Sequence, residues 1–171
     1  WARGLSYSDS ALDQFLKSLE SLDEPTAVIY YGDHFPGIMS SDFLQKHDPM
    51  TFRTTPVLLW SNRDVAEEPR VMERASASTL VPRLYQMLGL ELPPYFEFLI
   101  RVEEEVGTVL REGVYTSEGK VVRTEDLSKS QRKLLDDYHL IQYDFSVGER
   151  YALDEIWFDW DPMAEDQDSP N

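Results

Sequence analysis

The sequence predicts a layered α/β fold, and three observations favour it. Two short apolar runs rich in β-preferring residues, TAVIYY (26–31) and TPVLLWSN (55–62), are typical of strands. Apolar residues at helical spacing precede the first run and follow the second. The resulting order of helix, strand, loop, strand and helix is that of a chain whose helices pack on a sheet.

The first helix is predicted over residues 9–22, DSALDQFLKSLESL, with Ser8, Asp9 or Ser10 as its N-cap. The strand that follows is continuously apolar rather than alternating, which predicts burial on both faces, as in a parallel sheet. Gly32 lets the backbone turn, and a polar excursion over 38–54 leads to the second strand, which we also expect to be buried.

Three further helices are indicated downstream. The first, within 76–90, has Ser78 as the expected N-cap and Gly89 as the expected C-terminal cap. The others are predicted within 93–107 and 125–141, and residues 142–153 are predicted to be extended. Residues 152–171 carry seven acids and no Lys or Arg, and we expect a largely disordered acidic tail.

Composition restricts the classes of function. The net charge of −16 argues against nucleic acid and against an anionic membrane face, because both need clustered Lys and Arg. The absence of cysteine excludes disulfides and thiol nucleophiles. No apolar run approaches the ~18 residues of a membrane span. The chain opens on Trp1 without a signal peptide, and we expect a fragment of a longer protein.

The strongest candidates for a functional site lie in YYGDHFPG, residues 30–37, where Asp33 and His34 follow the first strand. A carboxylate and an imidazole at a relaxed strand end suit Zn²⁺ or Mn²⁺, although three protein ligands are usual. For an isolated pair, loop capping by Asp33 and surface packing by His34 is the simpler interpretation. His47 and Asp48 lack ligand-like spacing, and His139 is expected to be structural. Neither a GxSxG elbow nor a glycine-rich phosphate loop is present.

The segment TAVIYYGDHFPG resembles the strand and metal-binding turn of the alkaline-phosphatase-like superfamily, in its sulfatase and lipoteichoic acid synthase branch. The resemblance covers most of residues 1–151, which we interpret as the C-terminal portion of a sulfatase-like catalytic domain. It extends over four more segments in the same order: YSDSALDQFLKSL, TPVLLWSN, SASTLVPRLYQMLGLELPPYFEFL and DDYHLIQYDFSVGERY.

The resemblance implies a partial alkaline-phosphatase-like sheet flanked by helices, with Asp33 and His34 as ligands of a divalent cation. Mn²⁺ is favoured over Zn²⁺, Ca²⁺ or Mg²⁺. Phe35 is expected to border the substrate pocket. The nucleophile, a Thr in this branch, is expected upstream, so that no catalytic residue lies in this chain and the chain alone is inactive.

The implied parent is a phosphoglycerol transferase with N-terminal transmembrane helices, acting at the extracytoplasmic face of a bacterial membrane on a lipid- or glycan-linked phosphate ester. Two alternatives stay open: a sulfatase, and a non-catalytic α/β binding domain. The expected partner is the upstream half of the same catalytic domain. Without that half we expect self-association, because a sheet edge and an apolar face would be exposed. Gln142, Tyr143 and Asp144 are family-like but have no assigned role.

Overall fold

The computed structural model describes residues 2–35, 37–66, 71 and 74–153. The chain forms two compact units, unit 1 (Trp1–Val65) and unit 2 (Ala66–Asn171). Helices and small sheets occur in the predicted order, which confirms the α/β fold class. From residue 154 onward, the predicted acidic tail lies outside the described residues. None of the described helices is long and apolar enough to cross a membrane.

Unit 1 consists of α1 (Ala2–Glu20), β1 (Ala27–Tyr31), α2 (Ser41–Gln45), a 3₁₀ helix (Pro49–Arg53) and β2 (Val57–Ser61). The first helix therefore begins seven residues earlier than the predicted start at residue 9. Both strands are present within one or two residues of their predicted bounds.

The pairing of β1 with β2 corrects the expected parallel, buried sheet. The strands are antiparallel, with Ile29 opposite Leu59, because the segment between them reverses the chain direction. No side chain of either strand is fully buried. The continuous apolar sequence of these two strands therefore belongs to an antiparallel pair whose side chains are at most partly buried.

Asn62 ties the end of α1 to this strand pair. Its side-chain oxygen accepts a 2.9 Å hydrogen bond from the backbone N–H of Thr26. Its amide nitrogen donates to three carbonyl oxygens at 3.0–3.2 Å, those of Leu19, Leu22 and Glu24. Because two of these carbonyls lie at or just beyond the C-terminus of α1, the side chain satisfies groups that the helix leaves free.

Unit 2 contains α3 (Leu80–Leu88), α4 (Pro94–Glu105), β3 (Thr108–Leu110), β4 (Gly113–Tyr115), β5 (Val121–Val122) and α5 (Lys129–Ser146). Its described 3₁₀ helices are Ala77–Thr79, Thr124–Asp126 and Tyr151–Leu153. The three strands form an antiparallel sheet in the order β3-β4-β5. The sequence pattern of these short segments did not predict the sheet.

Helix ends in unit 2 match the predictions in part. Gly89 caps α3 in the left-handed conformation, with φ +69°, as predicted. Ser78 is not the N-cap; a 3₁₀ turn precedes α3, and Thr79 takes that position without a side-chain hydrogen bond. Ser128 and Gln131 form a capping box at the start of α5.

The predicted extended segment 142–153 is wrong. Helix α5 continues to Ser146, and a 3₁₀ helix follows at Tyr151–Leu153. The carboxylate of Asp144 accepts a 2.9 Å hydrogen bond from the backbone N–H of Ala152, which holds the chain back against the helix.

The core of unit 2 lies between α4, α5 and the small sheet. It combines residues of all three layers, and Leu135 and Val114 are at most 1% exposed. The buried cluster is Phe98, Leu99, Val102, Val106, Val114, Leu127, Leu134 and Leu135.

Candidate metal centre

The turn that carries Asp33 and His34 is anchored at Gly32, directly after β1. The N–H of Gly32 donates to the carbonyl of Pro56 at 3.2 Å, and the Thr55 hydroxyl donates to the carbonyl of Gly32 at 2.6 Å. A Cβ at residue 32 would lie 3.0 Å from the Cβ of Thr55. The close approach of the Thr55 side chain therefore favours glycine at this position, and the two hydrogen bonds fix where the turn begins.

The imidazole of His34 is held by its own loop. Its Nδ1 lies 3.0 Å from the carbonyl oxygen of Phe35. Because a carbonyl only accepts, this contact assigns a proton to Nδ1, and in the neutral imidazole the lone pair is then on Nε2. A backbone carbonyl on one ring nitrogen is the usual support for a histidine that binds a metal through the other.

The Asp33 carboxylate lies beside that lone pair. Its Oδ1 accepts a 2.9 Å hydrogen bond from the N–H of His34, and its Oδ2 is 3.5 Å from Nε2 of His34. Two ligand atoms that share an ion in a tetrahedral site, each about 2.0–2.2 Å from it, are about 3.4 Å apart. The two donors therefore fit one divalent cation.

The pair is open to solvent and has no third ligand among the described residues. The side chains of Asp33 and His34 are 83% and 75% exposed. Across the described part of the chain, no group of three His, Cys, Asp or Glu side chains could hold a metal ion. Since three protein ligands are usual, two alone would bind an ion weakly.

Phe35 belongs to an aromatic cluster that flanks the turn. Its ring meets Phe52 edge-on, with centroids 5.1 Å apart. Phe43 lies 6.1 Å from Phe52 and stacks on His47 at 4.2 Å. Phe35 is partly buried, and its ring packs on Phe52. Its predicted contact with substrate stays a prediction.

A family comparison covers the segment that contains this turn. The model of the family described as Sulfatase matches residues 1–90, more than half of the chain. This chain belongs to the sulfatase family. The resemblance inferred from TAVIYYGDHFPG is thereby confirmed. No curated protein matches the chain.

One solved structure supports the same fold for this sulfatase-family chain. It is the Streptococcus pyogenes phosphoglycerol transferase GacH in complex with sn-glycerol-1-phosphate, with a TM-score of 0.66 and 23% sequence identity. The match covers 88% of this chain and 35% of that protein. The chain thus corresponds to about a third of its structural relative, and the alkaline-phosphatase-like fold is confirmed.

The other histidine candidates have local contacts. Nδ1 of His47 lies 2.8 Å from the carbonyl of Phe43, and Asp48 caps the following 3₁₀ helix by accepting from the N–H of Met50 at 2.8 Å. His139 is exposed on α5 beside Tyr138, with ring centroids 5.7 Å apart. The contact of His139 suits the structural role expected for it, and the contacts of His47 and Asp48 are local to their loop.

The family-like residues 142–144 lie on α5 rather than on a strand. Gln142 donates a 2.7 Å hydrogen bond to the Tyr95 hydroxyl, Asp144 receives the N–H of Ala152, and Tyr143 is exposed. Burial raises the pKa of Tyr95, and the hydrogen bond from Gln142 opposes that rise more weakly. Sequence reasoning missed both this pair and Asn62, because their partners are 47 and up to 43 residues away.

Proposed function

We propose that this chain is part of the catalytic domain of a metal-dependent phosphoglycerol transferase of the lipoteichoic acid synthase-like branch. In this proposal Asp33 and His34 are two ligands of its divalent cation. The observation that carries it is the position of Nε2 of His34, 3.5 Å from the Asp33 carboxylate at the end of β1, while Nδ1 lies on the Phe35 carbonyl. Membership of the sulfatase family and the likeness to a phosphoglycerol transferase support it.

Mn²⁺ is the proposed cation, ahead of Zn²⁺, Ca²⁺ or Mg²⁺. A carboxylate suits Mn²⁺, and an imidazole is compatible with it. A cation held by Asp33 and His34 would supply positive charge that favours deprotonation of a hydroxyl nucleophile and balances charge developing on phosphoryl oxygens. The Phe35 carbonyl holds the ligand tautomer of His34, and the bond from Thr55 to Gly32 holds the turn.

The remaining catalytic groups of the proposed enzyme lie outside this chain. We place a Thr nucleophile and the other ligands in an upstream part of the catalytic domain, with N-terminal transmembrane helices before it. The substrate is a lipid- or glycan-linked phosphate ester at the extracytoplasmic face of a bacterial membrane, and Phe35 borders its pocket. The chain alone is therefore inactive.

The proposed partner of unit 1 is that upstream part. Tyr30 pairs with Leu58 and Tyr31 with Val57, and all four side chains are exposed. Since neighbouring residues on a strand point to opposite faces, both faces of the sheet present apolar surface. The share of the related structure outside the match leaves ample chain to cover them. The isolated chain should self-associate, and a concentrated sample that scatters light as a monomer would contradict this.

Metal binding by the full-length parent tests the proposed site. Calorimetric titration with Mn²⁺ should show affinity reduced at least about 10–100-fold by Asp33→Ala or His34→Ala. His47→Ala is the matched control, because its Nδ1 also contacts a backbone carbonyl but it belongs to no pair with Asp33. Unchanged affinity in both ligand variants would favour a non-catalytic binding domain. Catalytic turnover by the isolated chain would contradict the proposal that its active site is incomplete.

A sulfatase is the second candidate, because the matching family model is described as Sulfatase and spans the metal turn. Both reactions would use the same pair of ligands. Assays of the full-length parent with a sulfate ester and with a phosphoglycerol donor separate them. Preferential release of sulfate, lost in His34→Ala, would favour the sulfatase.

A further inference from the structure

The hydrogen bonds between β1 and β2 show which backbone groups of β1 face its partner strand. Within the described part of the chain, these two strands form a sheet of their own. At one end of the pair the N–H of Gly32 donates to the carbonyl of Pro56, and at the other the N–H of Asn62 donates to the carbonyl of Thr26. Bonded and unbonded positions alternate along an antiparallel pair. The even-numbered residues of β1 therefore bond to β2.

The odd-numbered residues of β1 direct their N–H and C=O groups to the opposite side, which we call the outer edge of β1. These residues are Ala27, Ile29 and Tyr31. In the described residues, no backbone hydrogen bond outside the β1–β2 ladder involves them. Ala27 and Tyr31 are also exposed. A row of donors and acceptors at two-residue spacing matches the backbone of another extended strand.

The sequence of β1 lacks the features that protect a permanently free edge. Natural edge strands are commonly blunted by charged side chains, proline or a bulge. The segment TAVIYYG, residues 26–32, has no charged residue and no proline. The register with β2 is regular over the whole of β1, without a bulge. Such a strand is typical of the interior of a sheet, with a neighbour on each side.

The candidate metal turn distinguishes the outer edge of β1 from the free edge of β2, because Asp33 and His34 directly follow β1. Two further donors that share an ion with this pair would lie about 3.4 Å from its ligand atoms. A strand added to β1 would lie about 4.8 Å from it, whereas a strand added to β2 would lie about 10 Å from β1. A neighbour on the outer edge of β1 is therefore the better placed to supply a missing ligand.

We propose that the outer edge of β1 binds a strand from the upstream part of the parent catalytic domain, through backbone hydrogen bonds to Ala27, Ile29 and Tyr31. This inference rests on the proposed function, which places the remaining ligands in that upstream part. The match covers only 35% of the related structure, so ample chain lies outside it to provide the strand. The added strand extends the sheet, and its end lies beside Asp33 and His34.

Hydrogen exchange at single-residue resolution, on the 171-residue chain and on the full-length parent, tests the proposal. In a dilute sample of the chain, the amides of Val28 and Tyr30 should be protected by β2, whereas those of Ile29 and Tyr31 should exchange rapidly. In the parent, the amides of Ile29 and Tyr31 should exchange at least about tenfold more slowly, because exchange then requires local opening of a paired strand. Equal rates in chain and parent would overturn the proposal.

A proline substitution separates a backbone hydrogen bond from burial of the side chain. Ile29→Pro removes an N–H that faces the outer edge, and Ile29→Ala is the matched control that keeps it. Proline is tolerated where the missing N–H would face solvent, so in the isolated chain the two variants should melt within about 3 °C of each other. In the parent, Ile29→Pro should melt below Ile29→Ala and should bind Mn²⁺ about tenfold more weakly, because the ligands would be displaced. Equal behaviour of the two variants in the parent would contradict the proposed backbone bond.

Asp33→Ala distinguishes failure of this proposal from failure of the metal site. In the parent it should weaken Mn²⁺ binding and leave exchange at Ile29 and Tyr31 unchanged. Mn²⁺ binding by a parent with an unprotected outer edge would overturn the added strand alone. A protected edge in a parent that binds no Mn²⁺ would contradict the metal site alone. Protection that occurs only in the concentrated isolated chain, and not in the parent, would assign the edge to a second copy and overturn the proposal.

Discussion

The two units of the chain are stabilised in different ways. Every described hydrophobic side chain that is fully buried belongs to unit 2, whereas the candidate metal turn lies in unit 1. Unit 2 has a core between helices and sheet, of the kind that supplies most folding free energy. The turn proposed to bind metal thus lies where burial contributes least, and low local stability is common in functional segments.

Because unit 1 buries little apolar surface, hydrogen bonds contribute a larger share of its stability than they do in unit 2. Asn62 makes four bonds at the junction of α1 with the strands, the Ser61 hydroxyl donates to the carbonyl of Thr26 at 3.2 Å, and Arg63 donates to the carbonyl of Asp23. Such bonds fix geometry but each contributes only about 1 kcal/mol. Unit 1 is therefore positioned precisely enough to present a turn, and we expect it to be the less stable unit.

Matched leucine substitutions give the largest expected contrast. Leu135→Ala, at a side chain that is 1% exposed, should lower the free energy of unfolding by about 4 kcal/mol, because it leaves a cavity in the core of unit 2. Leu59→Ala in β2, which is only half-buried, should cost less than about 2 kcal/mol. Urea unfolding followed by circular dichroism measures both.

Leu140→Ala is the control for helix α5. Its side chain is 66% exposed, and alanine favours helix, so the change should stay within about 0.5 kcal/mol. A loss for Leu59→Ala as large as that for Leu135→Ala would break the comparison, since unit 1 would then possess a core of its own.

Asn62→Ala should give the next largest effect, about 2 kcal/mol, confined to unit 1. The change removes the acceptor of the Thr26 N–H and the donor to three carbonyls. Hydrogen exchange should accelerate in β1 and in the last turn of α1, while α5 keeps its protection. Ser61→Ala removes the donor to the Thr26 carbonyl and the acceptor of the Arg63 N–H, two bonds instead of four, and should have a smaller effect. Uniform acceleration across both units would contradict the assignment.

The same contrast explains how far the sequence predicts the fold. Helices α3 and α4 were predictable because their apolar spacing and the glycine at position 89 are local signals. The direction of β2 was not, because a continuous apolar run fits a parallel or an antiparallel neighbour. Strands β3–β5 have two or three residues each, too few to show alternation.

The candidate site shows the same difference between local signals, which the sequence reveals, and long-range contacts, which it does not. Asp33 and His34 are neighbours in sequence, so their pairing and their resemblance to a metal turn could be inferred directly. The contacts that hold the turn in place could not be inferred from the sequence. The bond from Thr55 to Gly32 depends on the register of β1 and β2, which local sequence does not determine.

The smallest expected effect is a pH dependence that belongs to unit 2. Burial raises the pKa of Tyr95 above its ordinary 10.0, so the folded chain keeps this phenol neutral where the unfolded chain ionises it. The stabilisation is complete below pH 10.0 and is lost as pH rises through the folded pKa. Tyr95→Phe should therefore flatten the decline of melting temperature between about pH 9 and about pH 11.

The slope with pH, rather than the melting temperature itself, carries this prediction, because Tyr95→Phe also removes the hydrogen bond from Gln142. Tyr143→Phe, at an exposed tyrosine on α5, is the matched control and should retain the wild-type slope. Hydrogen exchange at alkaline pH should show the loss first in α4 and α5, which Tyr95 and Gln142 join. If the alkaline transition were unchanged in Tyr95→Phe, or began in β1 and β2, the weaker unit would be setting the limit of stability at high pH.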